Sequence, residues 1–317
     1  MDVLADVLAV TRFGNTYLGH STFTPPWGFE IKPARLATFH IVSRGNCWLL
    51  PHVESGAVRL NQGDIVLMAH GDGHILADHP DSAVKDYVEV ASTAREDLPA
   101  TLNSTDLFCG VYHFEQHSLH PLLSLLSPVI HLAADKVSGD DELQTVIRLL
   151  MRENCRSAPG STAVKQQLMN ILFVYIIRVW LARQPECAAG WLGGLRDPQV
   201  GKALTLIHQH PQQHWTVDLL AKEIAMSRAA FAKRFSALVG VAPLTYLTRW
   251  RMDLAARLLR DSNVPIAAVA AQVGYDSETA FSKMFRRHRA MPPGRYRSMH
   301  IGAAKPVEDL SMGLSNA

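Results

Sequence analysis

Cysteine is scarce in this chain. There are four in 317 residues, Cys47, Cys109, Cys155 and Cys187, and no two form a CxxC pair. A disulfide framework and a zinc ribbon are both excluded by that spacing. Long apolar runs are equally scarce: ILFVYIIRVWL (171–181) is interrupted by Arg178 and is too short to cross a bilayer. The opening residues, MDVLADVLAV, lack the basic flank and extended apolar core of an export signal, so a cytoplasmic protein with no membrane partner is expected. The signature of disorder is missing too, since 48% of residues are hydrophobic and 19% charged. A chain of this length has room for two domains, each with its own core.

A net charge of +2 conceals a division along the chain. Residues 215–300 hold 14 Lys and Arg against 6 Asp and Glu, which leaves 17 against 23 elsewhere. A basic segment joined to an acidic one suggests that only the former meets a polyanion.

Within the basic segment a pattern occurs twice. SRAAFAKRF (227–235) aligns with SETAFSKMF (277–285), with identity at five of nine positions. Each copy follows a short apolar helix, carrying Ala221 and Ile224 or Ala270 and Val273, and a tight turn, Ala225-Met226 or Gly274-Tyr275-Asp276. Gly274 suits a steep turn because it accepts positive φ. Ser227 and Ser277 fall at N-cap positions. Phe231/Phe235 and Phe281/Phe285, at i and i+4, would pin each second helix to a core. The opposite faces then carry Arg228, Ala229, Ala232 and Lys233 in one copy, and Glu278, Thr279, Ser282 and Lys283 in the other, as candidate base-facing residues of a major-groove reader. Ser227, Arg234, Ser277, Arg286 and Arg287 are the candidate phosphate contacts. Between the copies, residues 243–263 read as one long helix with Leu244, Leu247, Trp250, Leu254, Ala255 and Leu258 on its apolar stripe. It would hold two helix-turn-helix units about one duplex turn apart.

With WTVDLLAKEIAMSRAAFAKRF, GVAPLTYLTRWRMDLAARLL, IAAVAAQVGYDSETAFSKMF and PPGRYR in this order, residues 197–298 resemble the DNA-binding domain of AraC/XylS-type transcriptional regulators. One departure is Ala290, where the family usually has Gly before the last Pro region. If that backbone position requires positive φ, Ala costs on the order of 1 kcal/mol. The resemblance implies double-stranded DNA and RNA polymerase as partners, and transcription activation in the first place, with repression left open.

The acidic half has a different rhythm. RLATFHIVSRGNCWLLP (35–51), AVRLNQGDIVLMAHGDGHILAD (57–78) and DLFCGVYHFE (106–115) read as short strands of a small β-barrel or double-sheet roll, with Gly45-Asn46 and Asn61–Asp64 as hairpin connections. LNQGDIVLMAHGDGH resembles the second conserved motif of cupins, and this half resembles the cupin-type sensory domain of one AraC subgroup. The expected fold class is therefore a two-domain α+β protein. A cupin-like β-barrel with following helices precedes an all-α domain whose two helix-turn-helix units are joined by a long helix. The expected boundaries are 1–135 for the barrel, 136–190 for a helical dimerisation and linker region, 191–300 for the DNA-binding domain and 301–317 for a disordered tail. Two helices flank Ala158-Pro159-Gly160, and the second, 161–184, is apolar almost all round, which favours a homodimer contact over packing within the subunit alone.

Ten of the 15 histidines precede residue 140, so a metal in the barrel has to be weighed. His40 and His74 are weak candidates to point inward, and the Gly-Asp-Gly turn between His70 and His74 leaves the orientation of those two unassigned. The closely spaced His pair and Glu of the first cupin metal motif are not legible, and hydrogen-bonded barrel histidines are the simpler account. No cofactor and no catalytic residue are assigned. Cys109 and Cys47 lie in apolar strands, where a free thiol usually serves as a small hydrophobe. They are also the candidate redox sensors, behind a small-molecule effector as the expected signal. The rivals are a cupin-type metal-dependent enzyme with a DNA-binding tail and an architectural DNA-binding protein without an effector.

Overall fold

The computed structural model describes residues 6, 13–34, 36–53, 56–87, 89–90, 103–114, 126–137, 139–156, 158–183, 194 and 197–301. Residues 138, 157 and 184–190 of the expected helical and linker region, Cys187 among them, and residues 302–317 of the expected tail lie outside them. The chain divides into two compact units, one containing residues 13–114 and 126–183, the other residues 184–306.

The first unit is a roll of two five-stranded sheets. Strands β1 (Phe13–Phe23), β9 (Thr105–Phe114), β3 (Leu36–Arg44), β6 (Ile65–Met68) and β10 (Val129–Leu132) form one, in that order. The other runs β5 (Val58–Asn61), β4 (Asn46–Pro51), β7 (His74–Ala77), β2 (Gly28–Ile31) and β8 (Lys85–Asp86). The two connections expected to be hairpins are corners instead. Gly45, at φ 76°, carries the chain from β3 in one sheet to β4 in the other, and Gln62-Gly63-Asp64 carries it back from β5 to β6. Turn residues report a reversal of direction, which a sheet-to-sheet step also requires. Phe23, Trp27, Phe29, Val42, Leu49, Leu60, Val66, Met68, Leu76 and Leu107 fill the space between the sheets.

β3 is buried from Ala37 to Val42 because both of its faces are covered. Its outward Phe39 meets Tyr112, and Tyr112 meets Phe173 of a long helix. A Cβ at Gly110 would lie 2.0 Å from the Phe39 ring, so the glycine lets that ring sit flat on β9. Helices α1 (Ala134–Val137), α2 (Asp141–Asn154) and α3 (Ser161–Arg183) follow the strands. α2 and α3 pack on one another and on the sheet, burying Met169, Leu172, Phe173, Ile176, Ile177 and Val179. Tyr175 and Trp180 are half-buried there, while Val164 and Ile171 stay exposed.

Among the described residues, the regular elements of the second unit are all helices: α4 (Pro198–Gln209), α5 (Val217–Glu223), α6 (Arg228–Val239), α7 (Pro243–Asp261), α8 (Ile266–Gln272), α9 (Glu278–Arg289) and α10 (Pro293–Ile301). The repeat legible in 227–235 and 277–285 extends well beyond those residues. Met226 N–H donates to Ala221 O at 2.9 Å, and Tyr275 N–H to Ala270 O at 2.9 Å, so both turns close in the same way. Ala225 (φ 54°) stands where the second copy has Gly274 (φ 81°). After the second helix of each copy, Gly240 (φ 78°) and Ala290 (φ 58°) hold the left-handed cap, and a helix beginning with Pro243 or Pro293 follows. Ala290 therefore does occupy a position that favours glycine. In α7, Leu247, Trp250 and Ala255 are buried as expected, but Leu244 is exposed and Tyr246, Met252 and Leu259 join the core.

Ala290→Gly should relieve the left-handed strain and stabilise this unit by about 1 kcal/mol. Urea unfolding checks this; an unmoved or lowered midpoint would mean that the cap carries no strain.

Candidate DNA interface and a buried histidine–cysteine cluster

α6 and α9 are built alike. Ser227 Oγ accepts from Ala230 N–H and Ser277 Oγ from Ala280 N–H, both at 3.3 Å, so each serine caps its helix. Phe231, Phe235, Phe281 and Phe285 are fully buried. Each ring contributes about 1.5–3 kcal/mol by leaving water. With one side pinned, the other faces solvent. Arg228, Ala229, Lys233, Glu278, Thr279 and Lys283 are exposed, and Ala232 and Ser282 are half-buried between them. Arg228 is 3.4 Å from Asp218, but both are exposed, so this pair is weak and leaves the guanidinium available.

The candidate phosphate contacts are less uniform. Arg286 and Arg287 are exposed. Arg234 is already engaged: its Nε donates to Asp197 Oδ2 at 2.8 Å, and its Nη2 reaches the same oxygen. Asp197 in turn accepts from Gln199 and Val200 N–H at the start of α4. Burial works against ionisation of Asp197, but these donors outweigh it and hold its carboxyl below the usual range. Arg234 thus fastens α6 to α4. The neighbouring Arg289 is buried and paired with Asp253 of α7, whose carboxyl is pushed up to about 6 by burial although Arg289 opposes the rise. An acid interrupting the apolar stripe of α7 was the available signal for this pair.

A second polar site lies in the roll. His40 and Cys109 are directly opposed in the β3–β9 register, and His74 opens β7 in the other sheet. His40 Nδ1 is 3.0 Å from Cys109 Sγ, and His40 Nε2 is 2.8 Å from His74 Nε2. His74 Nδ1 is 3.1 Å from the Asp72 carbonyl oxygen. Burial holds both rings neutral, pushing His74 down to about 4 and His40 well below its usual value. A carbonyl only accepts, so His74 Nδ1 carries the proton and its Nε2 is bare. His40 Nε2–H must then donate, its Nδ1 is bare in turn, and the Cys109 thiol donates to it. One backbone carbonyl thereby sets the direction of three successive hydrogen bonds. The two imidazole Nε2 atoms face each other, whereas the sulfur lies on the far nitrogen of His40. The donors do not converge on one point, and among the described residues no group of three or more His, Cys, Asp or Glu could hold a metal ion. Cys47 is buried in the same core, with its thiol pushed up to about 12, and burial raises Cys109 further still.

Two family models match the chain, one described as a cupin over residues 2–182 and one as a helix-turn-helix domain over 220–299. A putative AraC-like transcription regulator from Streptomyces lividans is 35% identical over 299 residues, covering 94% of this chain and 98% of that protein. The transcriptional regulator AlkR of Acinetobacter baylyi is 31% identical over 280 residues, covering 86% and 90%. The chain is an AraC-type transcriptional regulator. Among solved structures, the DNA-binding domain of AdpA in complex with a target DNA is 34% identical, covering 32% of this chain and 92% of that one, with a TM-score of 0.31.

As an AraC-type regulator the protein is not an enzyme, and its chemistry is that of recognition. No described helix is long and apolar enough to cross a membrane. The DNA-binding half of this regulator also buries a histidine that sequence reasoning passed over. His208 of α4 stacks on Trp250, with ring centroids 3.9 Å apart, and its Nε2 is 2.8 Å from the Tyr246 hydroxyl. Burial pushes it down to about 3.

His74 and His208 make the regulator acid-sensitive in a definite direction. The unfolded chain binds protons below about pH 6.5, but the folded sites resist them until about 4 and about 3. Their contribution is complete above pH 6.5 and is lost as the pH falls towards those values, with a slope of about 1.4 kcal/mol per pH unit for each group. Urea unfolding at about pH 7.5 and about pH 5 reads the loss, and His208→Gln should flatten it.

Proposed function

We propose that this regulator reads a bipartite DNA operator with α6 and α9, and that its cupin domain senses a small molecule or an oxidant and alters DNA binding or transcription activation. It acts in the cytoplasm, with RNA polymerase as its partner, and as a homodimer in which the exposed Val164 and Ile171 of α3 are available for contact. Sedimentation of the 35.0 kDa chain at twice that mass would support the dimer.

DNA reading is supported by two capped helices with buried aromatic backs and exposed hydroxyl and cationic fronts. The observation that carries the sensory reading is the linked trio of buried His74, buried His40 and half-buried Cys109, set against an otherwise apolar core. Buried polar groups need partners, and a ligand offering an acceptor or donor could exchange with one of these. The small-molecule reading leads, because a sensor thiol needs a stabilised thiolate and burial holds Cys109 protonated. The bare Nδ1 of His40 beside Cys109 is what keeps the oxidant reading in play.

Lys283→Ala should narrow the affinity ratio between operator and scrambled DNA by about tenfold. Equal weakening on both would move Lys283 to the phosphate contacts. Fluorescence anisotropy on the DNA upstream of the regulator's own coding region tests the signal. Binding should be the same for reduced and mildly oxidised protein. An affinity change that disappears in Cys109→Ser would replace the small molecule with an oxidant.

A further inference from the structure

The two turns of the repeat differ in three ways. The second has Gly274 where the first has Ala225, Tyr275 where the first has Met226, and one additional residue, Asp276. All three differences fall where the second turn meets the loop that leads into the first helix-turn-helix, and one side chain of α7 stands between them.

That side chain is Arg251. Its Nε donates to Pro211 O at 2.7 Å and its Nη2 to Gln213 O at 2.8 Å, both in the loop between α4 and α5. The loop is itself tightly closed, with Trp215 N–H on Gln213 O at 2.7 Å and the Trp215 indole N–H on His210 O at 3.0 Å. The other side of the guanidinium lies on the second turn. A Cβ at Gly274 would be 2.6 Å from Nη2 and 2.8 Å from Gln212 O, so glycine is what lets the turn approach. The Tyr275 ring centroid is 5.7 Å from the Arg251 Cζ, within cation–π range. The additional Asp276 places Oδ1 3.6 Å from His214 Nε2 of the same loop.

We propose that Arg251 is a positioning residue for DNA recognition, bracing the entry of the first helix-turn-helix against the turn of the second so that α6 and α9 meet DNA at one fixed spacing and rotation. The inference rests on the proposed reading of DNA by both helices. α7 fixes the distance and packs into the core of each unit at opposite ends. The brace adds a direct tie between residues 211–213 and 274–276, which holds the rotation of one unit against the other. Each inserted base pair turns one half of an operator by roughly 34° and shifts it by about 3.4 Å relative to the other, so a braced reader should reject it.

The experiment uses the full-length protein. Duplexes selected from a random library by the unaltered regulator supply the operator. Versions with one or two base pairs inserted or deleted between its two half-sites are then titrated against the unaltered protein and Arg251→Ala. The unaltered protein should lose about tenfold or more on a single insertion, and Arg251→Ala should lose no more than about threefold, with a flattened spacing profile. Lower affinity alone, with the profile unchanged, is what a merely structural role would produce, and it would overturn the proposal. Should Arg251→Ala fail to fold, Tyr275→Met, which takes the residue of the first turn, removes the ring from the guanidinium and should flatten the profile in the same direction. If selection enriches no motif, or a motif with a single half-site, two-helix reading itself is wrong and the brace falls with it. A bipartite motif with identical spacing profiles defeats the brace alone.

Discussion

Each of the two helices proposed to read DNA hangs from a buried tyrosine. Phe235 meets Tyr246 edge-on with ring centroids 5.8 Å apart, and Phe285 meets Tyr296 in the same way at 5.3 Å. The hydroxyls are tied off behind them, Tyr246 to His208 and Tyr296 to Arg260, each at 2.8 Å. A twelve-residue helix is marginal in water by itself, and more so when its outward face must remain polar for a ligand not yet bound. The aromatic contacts provide the stability that the outer face cannot. They also explain why α7 is continuous over 19 residues: it supplies the tyrosine of the first unit at its start and residues for the core of the second towards its end.

Much of this half was legible because the repeat is written in residue types that have few substitutes. Serine at an N-cap and phenylalanine at i and i+4 each correspond to one local geometry, and they recur in both copies. The stripe of α7 was read less well. Leu244 has the right period but lies in the first turn, beyond the reach of the core, whereas Tyr246 is buried because the opposite helix presents Phe235 to it. Ion pairs such as Arg234–Asp197 and Arg289–Asp253 link residues more than thirty positions apart, and although Asp253 stands out on the stripe of α7, no local pattern names the partner of either acid. In the roll, strands were legible from their runs but sheet membership was not. A glycine turn at 45 serves a hairpin and a corner equally well, and only the pairing of β3 with β6 and β9 distinguishes them.

The histidine–cysteine cluster shows the same limit from another side. His40 and His74 were visible as inward candidates, but their partner could not be chosen from spacing, because the contact is made across two sheets. Once placed, each proton is determined by its neighbour, and the neighbour at the end of the series is the peptide carbonyl of Asp72. The loop that carries this carbonyl is restrained in turn. Ala34 N–H donates to Gly71 O and His52 N–H to Gly73 O, and Gly71 has no room for a side chain against Ala34 O. Cys109 thus shares its hydrogen-bond state with a half-buried turn that leads into the opposite sheet, and a change at either end is felt at the other.

The tandem repeat has a last consequence. A dimer of identical readers related by a twofold axis sees the same sequence from either side. Here the two heads stand in fixed chain order on one α7, and their outer faces are unlike: Ala229 and Ala232 on the first, Thr279 and Ser282 on the second. A molecule built this way has a left and a right. Laid on a duplex through both heads, it would point along the DNA, and everything attached to it would be presented towards one end and not the other.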